Sequence, residues 1–158
     1  MAEQTVVHST FVIERNFQRS PEEVFAAFAD PAKKRKWFAE GEQNEIVEFS
    51  MDFREGGTEL SRYKMGEGTP FPGVELKNSG EYLDIVRNQR IVASSAMELG
   101  GRRISASLTT VELIATAKGT DMIFTHQGAF FEGSGGPEMR EAGWNYLFDK
   151  LAKELRRQ

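Results

Sequence analysis

The chain holds two histidines, His8 and His126, and no cysteine. His126 stands in "FTHQGAFF", residues 124–131, among phenylalanines. A histidine so placed has three uses: a core group with one satisfied hydrogen bond, a cavity-wall group bonding a ligand oxygen, or a catalytic base. Buried polar groups are mostly of the first kind, which sets the primary expectation. His126 and Tyr82 are the candidates for acid–base work, although no nucleophile is paired with a base in the sequence. The lack of cysteine excludes disulfides, thiolate metal sites and a cysteine nucleophile. The two histidines lie far apart and form no zinc or non-haem iron motif, so no metal and no cofactor is expected.

Two charged residues stand on apolar strand faces. Arg15 alternates with Phe11, Ile13 and Phe17, and Asp84 alternates with Tyr82 and Val86. A charge facing a core must be paired, so Arg15 and Asp84 are candidate polar anchors and a candidate pair. Aromatic and apolar candidates for a ligand wall are Trp37, Phe38, Phe49, Met51, Phe53, Tyr82, Phe124, Phe130, Trp144 and Phe148, with His126 among them. Stripes of this kind usually fill a core. Small residues in "ASSA" (93–96) and "SAS" (105–107), with Gly143 inside a helix, leave room for a gap instead. The run "KKRK" (33–36) reads as a solvated face beside Trp37. "GSGG" (133–136) has no phosphate-loop lysine and reads as a hinge at the cavity mouth.

These residues need a frame. "FVIERNF" alternates as a strand; "SPEEVFAAFADP" carries a capping serine, a proline at the first helical position and a glutamate three residues after the cap. "PAKKRKWF" continues as a second short helix. From residue 46 the period changes to two, with Val47, Phe49, Met51 and Phe53 on one face. Strands follow in "TELSRYK", "GEYLDIV", "RIVASSAMEL", "RRISASLTTVELIA" and "TDMIFTHQGAFF". The last segment, from Pro137 to Gln158, puts Trp144, Leu147, Phe148, Leu151 and Leu155 on one helical stripe. Connections too short for crossovers make the strands antiparallel, and the long helix is the one element large enough to cover them. The fold class is α+β: a curved antiparallel sheet of about seven strands wrapped around a C-terminal helix, in one domain spanning 1–158.

Arg15, "SPEEVFAAFADP", Trp37, "DFREGG" (52–57), Gly80, "GTDMIFTHQGAF" (119–130) and "GWNYLFDKL" (143–151) occur in an order and spacing that resemble the helix-grip (START-like, Bet v 1-like) superfamily. Within it the chain resembles the family named after the activator of Hsp90 ATPase, C-terminal domain. The resemblance implies a cavity between sheet and long helix.

Three functions follow as expectations. The first is non-catalytic binding of a small hydrophobic or aromatic molecule in that cavity. The alternatives are an enzyme of the polyketide cyclase/aromatase type and an activator of an Hsp90-type chaperone. The 158 residues carry a net charge of −4, which argues against nucleic acid as partner. No apolar run reaches the roughly 18 residues of a membrane span, and the first residues lack a signal-peptide pattern, so a cytoplasmic protein is expected. A homodimer is an arrangement the sequence allows.

Overall fold

The computed structural model describes residues 5–41 and 44–157. The expected helix end at Gln158 lies outside those residues. Seven strands form: β1 (Val7–Phe17), β2 (Asn44–Met51), β3 (Thr58–Met65), β4 (Glu75–Val86), β5 (Arg90–Leu99), β6 (Arg102–Thr116) and β7 (Gly119–Phe130). All pairings are antiparallel, in the order β1-β7-β6-β5-β4-β3-β2. Strands β2 to β7 form a meander, and β1 returns to pair with β7. The two edge strands are joined by α1 (Pro21–Ala29), α2 (Pro31–Lys34) and a π-helical turn (Arg35–Ala39). The expected α+β architecture is therefore the observed one.

The helix signals act as their chemistry requires. The Ser20 hydroxyl accepts from the Glu23 amide at 3.2 Å while Glu23 accepts from the Ser20 amide at 3.4 Å, closing the capping box behind Pro21. Asp30 caps α2 through the Ala32 amide at 2.9 Å. The last helix, α3 (Gly136–Arg157), buries Phe148, Leu151 and Leu155 and half-buries Trp144 and Leu147 against the sheet. Each such side chain contributes roughly 1.5–3 kcal/mol on full burial.

Polar clamps fix α3 in place. Arg15 donates to Asp149 at 2.9 Å and to the backbone and side-chain oxygens of Asn145, each at 3.1 Å. Arg19 donates to the Leu155 carbonyl at 2.8 Å, near the helix end where carbonyls lack partners. The candidate pair Arg15–Asp84 is thus corrected. Asp84 instead pairs with Arg90 at 2.6 Å, because a β-bulge between Tyr82 and Asp84 reverses the face on which Asp84 stands.

A second bulge, between Ile46 and Glu48, likewise turns Val47 out of the stripe it was expected to share with Phe49 and Met51. Strand β4 begins at Glu75 rather than Gly80. Gly80 lies inside the strand, where an added Cβ would stand 1.9 Å from the Ser94 carbonyl oxygen, so the crowded strand crossing requires glycine there. Gly143 faces solvent and an added Cβ would meet nothing, so it marks no gap beneath the helix.

Candidate ligand site under the C-terminal helix

The aromatic residues of the predicted wall mostly pack on one another. Trp37, Phe124 and Phe148 are fully buried, and the Trp37 indole donates to the Ala27 carbonyl at 2.8 Å. Trp144 lies 4.6 Å from Phe124, 5.5 Å from Phe148 and 5.8 Å from Phe38, centroid to centroid. Phe38 meets Phe49 at 6.5 Å, and Phe53 stands edge-on to Tyr82 at 4.9 Å. Met51 packs against the same cluster. Such ring pairs contribute about 0.5–1.5 kcal/mol beyond the area they bury.

What remains open is a cavity of about 60 Å³. Phe38 and Trp144 bound it on the helix side; Gly80, Ala93, Ser95 and Thr109 lie on the sheet side, with Lys34, Glu59, Asn78 and Tyr82 also in its lining. Of the predicted wall residues, Phe38, Tyr82 and Trp144 line this space. A single water position needs roughly 10–15 Å³, so the cavity admits a small group.

Its polar members form a connected cluster. Lys34, 9% exposed, pairs with Glu59 at 2.6 Å, and the Tyr82 hydroxyl donates to the same carboxylate. The Lys34 ammonium also stands 4.7 Å from the Phe38 ring centroid. Burial first, then the charge and hydrogen bond of Glu59, push the Tyr82 phenol upward, so it keeps its proton at neutral pH. Beside this cluster the Ser95 hydroxyl donates to Asn78 at 2.6 Å.

The expectation that "KKRK" is wholly solvated is corrected at Lys34. The π turn follows it directly, and the Glu40 amide bonds the Arg35 carbonyl at 2.9 Å. The wider turn advances each residue by a smaller angle, so Trp37, Phe38 and Ala39 all point inward in succession. Lys34, one turn before Phe38, faces inward with them.

His126 is 1% exposed and stands between phenylalanines. Its ring stacks on Phe11 at 4.6 Å with 6° between planes, and on Phe130 at 5.8 Å. An added Cβ at its strand neighbour Gly128 would stand 2.9 Å from both rings. His126 Nδ1 has no hydrogen-bond partner, nor has the buried Ser107 hydroxyl. Across from them, Arg140 of α3 donates to the buried Ser105 hydroxyl at 2.7 Å and lies 5.2 Å from the Phe130 ring centroid. Burial lowers the Arg140 guanidinium to about 10. Burial first, then the charge of Arg140, lowers His126 to about 4, so the imidazole is neutral at pH 7. Among the described residues no group of His, Cys, Asp or Glu side chains is arranged to hold a metal ion.

The family described as "Activator of Hsp90 ATPase homolog 1-like protein" matches residues 18–156. The chain belongs to this family. Among solved structures it is similar to a protein from Rhizobium loti at 46% identity, covering 96% of this chain and 99% of that one, with a TM-score of 0.85. A protein from Rhizobium leguminosarum follows at 37% identity, 97% of both chains and a TM-score of 0.89. An AHSA1-like protein from Aeromonas hydrophila shares the fold at 20% identity, covering 94% of this chain and 92% of that one, with a TM-score of 0.69. No curated protein matches. The long helix and the sheet flank the space just described. No helix among the described residues is long and apolar enough to cross a membrane.

Sequence reasoning missed Glu59 and Arg140, and it read Lys34 as solvated and Ser107 only as a small residue. Each had a signal. Glu59 shares a strand face with the buried Ser61 and Tyr63. Arg140 lies one turn before Trp144, on the N-terminal extension of the stripe that α3 buries. His126 faces inward, and Arg15 is engaged with α3 rather than with the cavity.

Proposed function

We propose that this family member binds a small molecule with an apolar, ring-bearing body in the cavity between β3–β6 and α3. The observation that carries the reading is the position of the cavity between two aromatic rings, Phe38 and Trp144, and a floor of small residues; at about 60 Å³ it is smaller than the roughly 150 Å³ that holds a benzene, so a ring enters as Phe38 and Trp144 move aside. Rings supply apolar area, worth about 25 cal/mol per Å² removed from water, and Gly80, Ala93 and Ser95 leave the floor low. The Lys34–Glu59–Tyr82 cluster, its charges already paired, closes one end. Nothing in this arrangement makes Tyr82 an easy proton donor, since burial and Glu59 both hold its proton in place. That favours binding over the cyclase type of chemistry.

The test is a fluorescence titration of the wild-type chain with a library of small aromatic compounds, followed by Trp144→Phe and Ala93→Leu. Trp144 lines the cavity, so an occupant alters its emission; Ala93→Leu fills the floor and abolishes the response. A hit whose affinity is unchanged in Ala93→Leu places the occupant elsewhere and overturns the reading. The chaperone contact in the family's description is the second reading, and ATPase measurements on an Hsp90-type chaperone with and without the chain separate the two.

A further inference from the structure

The inner face of the fold carries a second polar group that the Lys34 cluster does not touch. It is built from Arg140 on α3, Ser105 and Ser107 on β6, and His126 on β7. Cross-strand register sets it beside the cavity, whose lining does not include these four residues. Ser107 stands opposite Ser95, and Thr109 stands opposite both Ala93 and His126, while Ser95, Ala93 and Thr109 all line the cavity. On the helix side, Arg140 precedes the cavity residue Trp144 by one turn.

Three observations about this group point the same way. Arg140 is largely withdrawn from water, yet among the described residues no carboxylate stands within ion-pair distance of it; its one polar side-chain partner is Ser105. Ser107 and His126 each hold a buried polar atom with no partner. The available groups are nearly all donors: the remaining guanidinium N–H groups, two hydroxyls and, in one neutral tautomer, the imidazole Nδ1–H. A half-buried cation beside idle donors is matched by an anion carrying several acceptor lone pairs. The single positive charge matches a single negative one, and the fork of guanidinium N–H groups matches the two oxygens of a carboxylate.

We propose that the molecule bound in this cavity is a small monocarboxylic acid with an aromatic body. Its carboxylate is held by Arg140, Ser105, Ser107 and His126, and its ring lies beside Trp144. This rests on the cavity reading and adds the chemical class of the ligand. His126 takes part as a neutral donor, its ring held flat between Phe11 and Phe130 so that Nδ1–H has a fixed direction. Recognition by shape alone would leave acid and amide equivalent, whereas a donor cluster around a cation does not.

The test compares two matched pairs of probes, phenylacetate with phenylacetamide and indole-3-acetate with indole-3-acetamide, by calorimetric titration of the full chain at pH 7. The acids are expected to bind at least about tenfold tighter than their amides, as charge-assisted hydrogen bonds imply. Arg140→Met removes that preference, so that acid affinity falls to about that of the amide. Arg140→Lys restores part of it and guards against a folding defect in the methionine variant. Ser107→Ala lowers acid affinity a few-fold, although its hydroxyl has no partner to lose in the empty fold. Equal binding of acid and amide, or acid affinity indifferent to Arg140→Met, overturns the carboxylate assignment while the cavity reading stands. If neither acids nor amides bind, the cavity reading falls and takes the assignment with it.

Discussion

Two polar clusters lie on the inner face of this sheet, and they are built oppositely. At Lys34–Glu59–Tyr82 every charge meets its counterpart: the ammonium pairs with the carboxylate and the phenol donates to it. At Arg140–Ser107–His126 a half-buried cation and two buried polar atoms stand without such counterparts. The first cluster is complete in itself and belongs to the architecture, tying the end of α2 to β3 and β4. The second is incomplete, and an incomplete buried cluster costs stability unless something else completes it. The contrast separates a polar group that holds the fold together from one that the fold holds ready.

The strongest way to break the comparison is to unbalance the complete cluster. Glu59→Leu leaves Lys34 buried without its carboxylate and is expected to cost about 3–5 kcal/mol in urea unfolding at pH 7. The double variant Lys34→Met/Glu59→Leu should recover most of that loss, because no charge is then abandoned in the interior. If the single variant costs no more than the double, the pair is not the buried unit described here.

The next effect concerns pH. His126 has a folded pKa lowered to about 4 from an ordinary value of 6.5. Below pH 6.5 the unfolded chain takes up a proton that the folded chain refuses until about pH 4. Stability therefore falls across that window and levels off below it. The loss assignable to His126 is about 3 kcal/mol, read as the difference between wild type and His126→Phe in urea titrations from pH 7 to 4. Parallel pH profiles of the two proteins would show that the ring is not desolvated as its burial implies.

Smaller effects sharpen the incomplete cluster. Arg140→Met abandons no carboxylate and should leave stability within about 1 kcal/mol of wild type, in contrast with any change that splits Lys34 from Glu59. Ser107→Ala removes a hydroxyl with no partner and should change the unfolding free energy by no more than about 0.5 kcal/mol. A large loss from either variant would mean that the second cluster is structural after all.

The frame of the fold was legible from local rules. Ser20, Pro21 and Glu23 announce α1, strict alternation announces the strands, and the stripe from Trp144 to Leu155 announces a covering helix. The site was legible only in part. His126 faces inward as its strand period required, yet Asp84 faces outward because one extra residue at a bulge reversed the alternation. The aromatics that suggested a wide apolar cavity mostly satisfy one another, and the residual space is small and partly polar.

Strand count, helix positions and the covering role of α3 were determined by the sequence, because periodicity and capping act over a few residues and need no distant partner. Only the tertiary structure decided which charges are paired. Lys34 meets Glu59, Arg15 meets Asp149 and Arg140 meets no carboxylate among the described residues because sheet register, two bulges and a π turn set distances between segments far apart in the chain. Whether a buried charge has its counterpart is a property of those distances, and no local pattern encodes them.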